Sequence, residues 1–239
     1  MIGKGKSISH GVAALEYDLA KEINGQAVAT EIARHELYGC TGAEMVQEMK
    51  PYHIDFPNVK NNCLRFEVSP SIEESATFTD ADWAELGNDF MQRMGLANHQ
   101  YIIIRHSGTE SKKEQAHLHI LANRVSLSGE LYRDNWIGKK ATEAANAIAK
   151  ERNFVQSQDI GKVNKAEIKE AMDGVLKKMQ GFDFTKFKEE LGKRGFKVRE
   201  ARASTGKLNG YYVTARSGTE YKASEIGKGY TLAHIERTQ

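Results

Sequence analysis

Three histidines are spaced to meet on one face of a sheet. His117 and His119 sit in Ala116-His-Leu-His-Ile-Leu-Ala-Asn123, and alternate side chains of a strand share a face. Leu118, Ile120 and Ala122 then point to the other side. His106 ends the preceding run Gln100-Tyr-Ile-Ile-Ile-Arg-His106, and a hairpin sets it beside the pair. Three converging imidazoles can hold a divalent cation and leave positions open for water or substrate. Such a cation polarises a phosphoryl oxygen and stabilises the charge that develops in phosphoryl transfer. On spacing alone, the same pair also fits two surface histidines on a half-exposed strand. The Asp-rich set that two-metal nucleases use is missing from this stretch, which favours a nucleophile from the protein itself.

Tyr17 has the chemistry for that role. Ser7 or Ser9 can cap a helix reaching about Ile23, with Ile8, Val12, Leu15, Leu19 and Ile23 forming one apolar stripe. Tyr17 falls roughly 160° from the centre of that stripe, facing away from what it buries. A phenol titrates near pH ~10, so it needs a metal or a base to attack at neutral pH. An exposed tyrosine with no task would occupy the same place.

The elements around these residues can be read in turn. Thr41 caps a helix over residues 40–50, with Pro51 beyond its end. Residues 62–69 alternate as a half-buried strand, and Thr79 to Met94 form an amphipathic helix stopped by Gly95. Residues 101–106 and 116–125 are strands. Residues 139–152, 164–180 and 184–194 are helical in pattern. Phe196 to Arg202 and Leu208 to Ala215 form a hairpin around Ser204-Thr205-Gly206. Alternating, hairpin-linked strands predict an α/β (α+β) two-layer sandwich, a central antiparallel sheet carrying the three-histidine site with helices packed on it. Residues 1–152 form the catalytic core in this reading. Residues 153–239 form a helical and β-hairpin part of the same domain.

Hydrophobic residues make up 40% of the 239 and charged residues 28%, the balance of a water-soluble globular chain. No apolar run approaches the roughly 20 residues of a membrane span, and the first residues lack the apolar stretch of a signal peptide. These features predict a cytoplasmic protein without membrane contact. Cys40 and Cys63 stand far apart and read as reduced structural thiols. Charge is uneven: residues 67–110 carry a net −6 and residues 186–216 a net +6. The basic stretch fits a polyanionic partner or a solvated hairpin. Gln239 follows Thr231 to Arg237 without an obvious stop, so a longer parent protein is expected.

Taken together, these residues resemble the relaxase/mobilisation nuclease family of conjugative and mobilisable elements, within the HUH endonucleases. Lys4-Gly-Lys-Ser-Ile-Ser9 leading into Ala13-Ala-Leu-Glu-Tyr17 looks like the family's glycine-serine turn and tyrosine helix. Phe66-Glu-Val-Ser-Pro70 resembles its Ser-Pro strand. Met94-Gly-Leu96 with His99-Gln-Tyr101, then His117-Leu-His-Ile120 and Asn123-Arg-Val125, are similar to its histidine strands, followed by the turn Gly129-Glu-Leu-Tyr132. Leu191 to Phe196 and Gly210-Tyr-Tyr-Val213 resemble its C-terminal portion.

The resemblance implies site- and strand-specific nicking of DNA at a transfer origin, leaving a 5′-phosphotyrosine and permitting religation. Tyr17 would be the nucleophile, with Tyr38 and Tyr52 as weaker alternatives. His106, His117 and His119 would hold a divalent metal, magnesium or manganese, though other transition metals fit three imidazoles. Glu110, Glu114 and Asn123 are candidates to support the ligands, because Ser107 to Ala116 is longer and less acidic than the usual link. The strand that ordinarily precedes the tyrosine helix is nearly absent from the pattern. Lys4, Lys6, Arg124, Arg133, Lys139 and Lys140 would contact phosphates, and Trp136 would stack on a base. Single-stranded origin DNA, accessory DNA-binding proteins and a coupling protein are the implied partners. A rolling-circle replication initiator or transposase of the same class shares this chemistry. A non-catalytic DNA-binding module with a structural metal, or a DNA-independent metal hydrolase, would share the histidines alone.

Overall fold

A computed structural model describes residues 1–23, 25–107 and 115–238. Glu110 and Glu114 lie outside those residues. The chain forms two compact units, Met1–Ser157 and Gln158–Gln239.

The first unit contains β1 (Ile2–Ile8), α1 (Gly11–Leu19), β2 (Glu22–Ile23), β3 (Gln26–Ala27), β4 (Ala29–His35) and α2 (Gly42–Met49). After these come β5 (Cys63–Ser69), α3 (Ile72–Ser75), α4 (Asp80–Arg93), β6 (His99–His106), β7 (His117–Ser126) and α5 (Ile137–Glu151). Five strands make one sheet in the order β1-β5-β7-β6-β4, each antiparallel to its neighbour. This is the antiparallel sheet with packed helices that the alternation predicts. One face buries Phe66, Ile103, Leu118 and Ile120 against Leu86 and Phe90 of α4 and Ala141, Ala145 and Ile148 of α5. On the other face, Ile102, Ile104 and Leu121 pack with Leu15 of α1 and Met45 and Met49 of α2. Each such buried aliphatic chain contributes about 1.5–3 kcal/mol. Thr41 caps α2 in a reciprocal capping box with Glu44, and Thr79 does the same for α4 with Asp82.

The N-terminal segment differs from the sequence reading. Residues 2–8 are a full strand, paired with β5 from Ile2↔Ser69 to Ile8↔Cys63. Ile8 therefore belongs to the sheet, and α1 begins at Gly11 behind His10, which makes no side-chain cap. Lys4-Gly5-Lys6 looks like a turn in isolation, yet its glycines serve close packing. A Cβ on Gly3 would lie 2.4 Å from the Ala141 carbonyl oxygen and 2.6 Å from the Ala145 Cβ. Only a glycine lets α5 approach β1 this closely. The edge strand β4, with a register shift between Glu31 and Ala33, also carries no clear alternation in the sequence.

The second unit contains α6 (Ser157–Leu176, whose first residue belongs to the first unit), α7 (Phe184–Lys193), β8 (Lys197–Arg202) and β9 (Leu208–Thr214). It ends with β10 (Glu220–Lys222), α8 (Ala223–Ile226) and α9 (Leu232–Thr238). The strands form a three-stranded antiparallel sheet in the order β10-β9-β8. One face packs Val198, Tyr211 and Val213 on Ile168, Met172, Phe187, Leu191, Ile226 and Ile235 of the helices, a core of its own. Among the described residues, no helix is long and apolar enough to cross a membrane.

Candidate metal centre

The β6–β7 register pairs His106 with His117, and His119 follows two residues along the same face. The ring centroids are 5.5 Å apart for His106–His117, 4.4 Å for His106–His119 and 4.9 Å for His117–His119. One nitrogen from each ring lies within 4.8 Å of one from the others. The Nε2 atoms of His117 and His119 are 3.1 Å apart. Two nitrogens each about 2.1 Å from one cation stand about 3.0–3.4 Å apart at angles near about 90–110°. The donor set thus fits a single divalent ion, with no carboxylate needed to complete the trio.

Each ring is oriented by its other nitrogen. His106 donates from Nε2 to the Asp18 carbonyl at 2.6 Å, and His117 faces the Gln115 carbonyl through Nδ1 at 3.2 Å. A carbonyl only accepts, so these contacts place the protons and leave the remaining nitrogens as acceptors. Burial holds the His106 pKa below its usual value, favouring the neutral form that ligates. His119 Nδ1 lies 3.4 Å from Arg65 and 3.9 Å from the Asp18 carboxylate.

Asp18 is the acid that the sequence reading missed. It is 1% exposed and takes both arms of the Arg65 guanidinium, with Nε to Oδ2 at 3.0 Å. Burial pushes its carboxyl upward, and the Arg65 hydrogen bonds and charge oppose the shift. A signal existed: Asp18 follows the candidate nucleophile directly. Its partner, however, is 47 residues away.

Tyr17 projects from α1 with 56% exposure, as its position on the helix predicts. Its hydroxyl accepts a hydrogen bond from Lys21 Nζ at 2.9 Å, one helical turn on, with the ammonium 5.0 Å from the ring centre. Tyr38 instead donates to Glu36 at 3.1 Å, and that carboxylate raises its pKa, the wrong direction for a nucleophile.

A groove of about 500 Å³ opens beside His119, lined by Lys4, Gly5, Lys6, Arg65, Phe66 and Glu67. Lys4, Glu67 and His119 lie on one rung of the sheet. Trp136 is 81% exposed at the start of α5, with a left-handed backbone (φ 58°). Arg133 and Lys139 are exposed nearby, while Lys140 reaches the Arg133 carbonyl at 2.7 Å and lies over Tyr132.

One expectation is corrected. Asn123 does not support the histidines. It lies four residues beyond His119, about 13 Å along the strand, and bonds to His53 at 2.7 Å and Gln100 at 2.9 Å. Arg124 commits three of its five guanidinium N–H donors inside the protein, and its side chain is only 13% exposed. Its guanidinium binds the Tyr132 carbonyl at 3.2 Å, the Asn61 carbonyl at 2.9 Å and Asp134 at 2.6 Å, tying loops together.

The model of one protein family, described as "Relaxase: MobA/VirD2-like, nuclease domain", matches residues 17–154. Among solved structures, the chain is similar to the conjugative relaxase TrwC in complex with oriT DNA. The metal-free form is 10% identical, covers 87% of this chain and 74% of that chain, and has a TM-score of 0.39. The metal-bound form is 11% identical with the same coverage and a TM-score of 0.36. No curated protein matches the chain.

Proposed function

The chain belongs to the relaxase family of MobA/VirD2-like nuclease domains, and on that premise we propose that it nicks one DNA strand at a transfer origin using Tyr17. One observation carries the assignment. The backbone carbonyl of Asp18, the residue after Tyr17, accepts the His106 hydrogen bond, so nucleophile and histidine cluster are held by a single linkage.

The Tyr17 oxygen attacks the scissile phosphorus, forming the Tyr–O–P bond as the P–O3′ bond breaks. The phenolic proton leaves to solvent, and the departing 3′ oxygen is protonated. A phosphodiester replaces a phosphodiester, so the free 3′ hydroxyl can reverse the step and rejoin the strand. Lys21, already bonded to the phenol oxygen and lying over the ring, holds that oxygen in place. His106, His117 and His119 would hold a divalent cation, magnesium or manganese, which when bound supplies charge stabilisation at the non-bridging phosphate oxygen. Asp18 and Arg65 fix the edge of His119. Lys4, Lys6, Arg133 and Lys139 would meet phosphates, and the exposed Trp136 would stack on a base. Accessory DNA-binding proteins and a coupling protein belong to the same reading.

The test is incubation of the protein with labelled single-stranded origin DNA and manganese, resolved on a denaturing gel beside Tyr17→Phe. A covalent adduct in the wild type that vanishes in the variant supports the assignment. An adduct that survives moves the nucleophile to another tyrosine, and binding without cleavage refutes the nuclease reading.

A further inference from the structure

Positive charge is concentrated in the second unit. Residues 158–239 carry 17 Lys and Arg against 11 Asp and Glu, a net +6, whereas residues 1–157 carry 17 against 21, a net −4. Part of that charge lies on the uncovered face of the second unit's sheet. Val198, Tyr211 and Val213 point into the core, so their strand neighbours point outward. The register places Arg199, Tyr212 and Lys222 on one outward rung and Lys197, Thr214 and Glu220 on the next.

Arg199 occupies an unusual position there. Its guanidinium carbon lies 4.0 Å over the centre of the Tyr212 ring. Its edge is gripped by Glu220, with Nε to Oε1 at 2.8 Å and a terminal nitrogen to Oε2 at 2.6 Å. Yet the side chain remains 57% exposed. With one plane on the ring and its Nε edge on a carboxylate, the outer plane of the guanidinium remains open, along with the N–H donors of its other terminal nitrogen. Lys197 and Lys222 flank it, both exposed and without an ion pair among the described residues.

We propose that this face is a second DNA-binding site, in which the Arg199–Tyr212 stack is a platform for an unpaired base of single-stranded DNA while Lys197 and Lys222 meet the adjoining phosphates. A guanidinium plane and an aromatic ring both accept a stacked nucleobase of any sequence. The geometry favours an unpaired strand over a duplex. A duplex hides the faces of its bases and cannot lay one on the open guanidinium plane. Two free lysines alone offer little to a duplex, whose affinity grows with the number of phosphates neutralised. The proposal takes only the identity of the polymer from the relaxase reading.

The test uses the full chain in metal-free buffer, so that cleavage plays no part. Anisotropy measures binding of end-labelled dT30 and of a hairpin duplex to wild type, Arg199→Lys and Tyr212→Leu. Thermal unfolding checks the fold, and Arg199→Lys disturbs no buried group. Both variants are expected to bind dT30 about tenfold more weakly, with duplex binding unchanged. Wild-type affinity in Arg199→Lys would reduce the site to simple charge and overturn the stacking platform. A larger loss on the duplex than on dT30, or no loss on either, would overturn the single-strand assignment. A protein that binds dT30 as proposed yet never forms a tyrosine adduct would sink the nuclease reading alone.

Discussion

The backbone carbonyl of Asp18 accepts a hydrogen bond from His106 Nε2 at 2.6 Å, while the side chain of the same residue holds Arg65 against His119. One residue of α1 thereby reaches two of the three histidines, and the tyrosine beside it inherits that placement.

Replacing Tyr17 by Phe should abolish the covalent adduct and leave manganese affinity, measured by calorimetry, unchanged. Lys21→Met should keep the adduct but slow its formation about tenfold to hundredfold, less than a preorganised buried donor gives, because Tyr17 is largely solvated. An unchanged rate in Lys21→Met would show that the ammonium has no part in activating the phenol.

Asp18→Ala should cost about 2–4 kcal/mol in urea unfolding. Removing one partner of a buried ion pair strands the other, and the partial exposure of Arg65, 19% for its side chain, moves the loss toward the lower end. Asp18→Asn keeps the shape and should recover part of it. Equal losses in both variants would mean that charge, not geometry, holds Arg65.

Gly3→Ala should destabilise the protein by about 1–3 kcal/mol, read as a drop in thermal midpoint, because the new methyl meets the Ala141 carbonyl and the Ala145 side chain. Gly206→Ala in the β8–β9 turn meets nothing within 4 Å. Its left-handed backbone (φ 80°) makes the cost local, about 1 kcal/mol. A harmless Gly3→Ala would show that α5 can shift away from β1.

Acidification should weaken the metal-free protein. Burial lowers the pKa of His53 and His99 below the ordinary imidazole value of about 6.5. The unfolded chain therefore takes up protons first, so stability falls as pH drops through about 6.5. Urea midpoints at a series of pH values check the sign, and His53→Gln should flatten part of the slope. Stability that rises on acidification would contradict neutral, buried imidazoles.

The histidine strands were legible because their chemistry lies in local spacing: His117 and His119 alternate with Leu118 and Ile120, and a hairpin needs only short-range pairing. Thr41 and Thr79 announced their helices through capping chemistry. β1 was not legible, since Gly3 and Gly5 lower strand propensity and act through α5, which packs from more than 130 positions along the chain. Asp18 and Arg65 have no shared motif, and their pairing exists only once α1 lies across β5. Asn123 followed the histidines closely enough to suggest that it supports them, but strand rise carried it beyond reach of the cluster. The C-terminal charge was legible, whereas its division between a buried and an open sheet face required the register of β8, β9 and β10.

The register shift in β4 bears on how the molecule behaves at high concentration. A flat outer strand offers its unpaired amides and carbonyls to another copy of the chain, and growth by strand addition leads to fibres. The irregularity between Glu31 and Ala33 breaks the even spacing such a guest would need. Glu31 and Arg34, paired across that point at 2.5 Å, would have to be dehydrated by any strand laid alongside. The β4 border of the sheet is thus a poor template for strand addition.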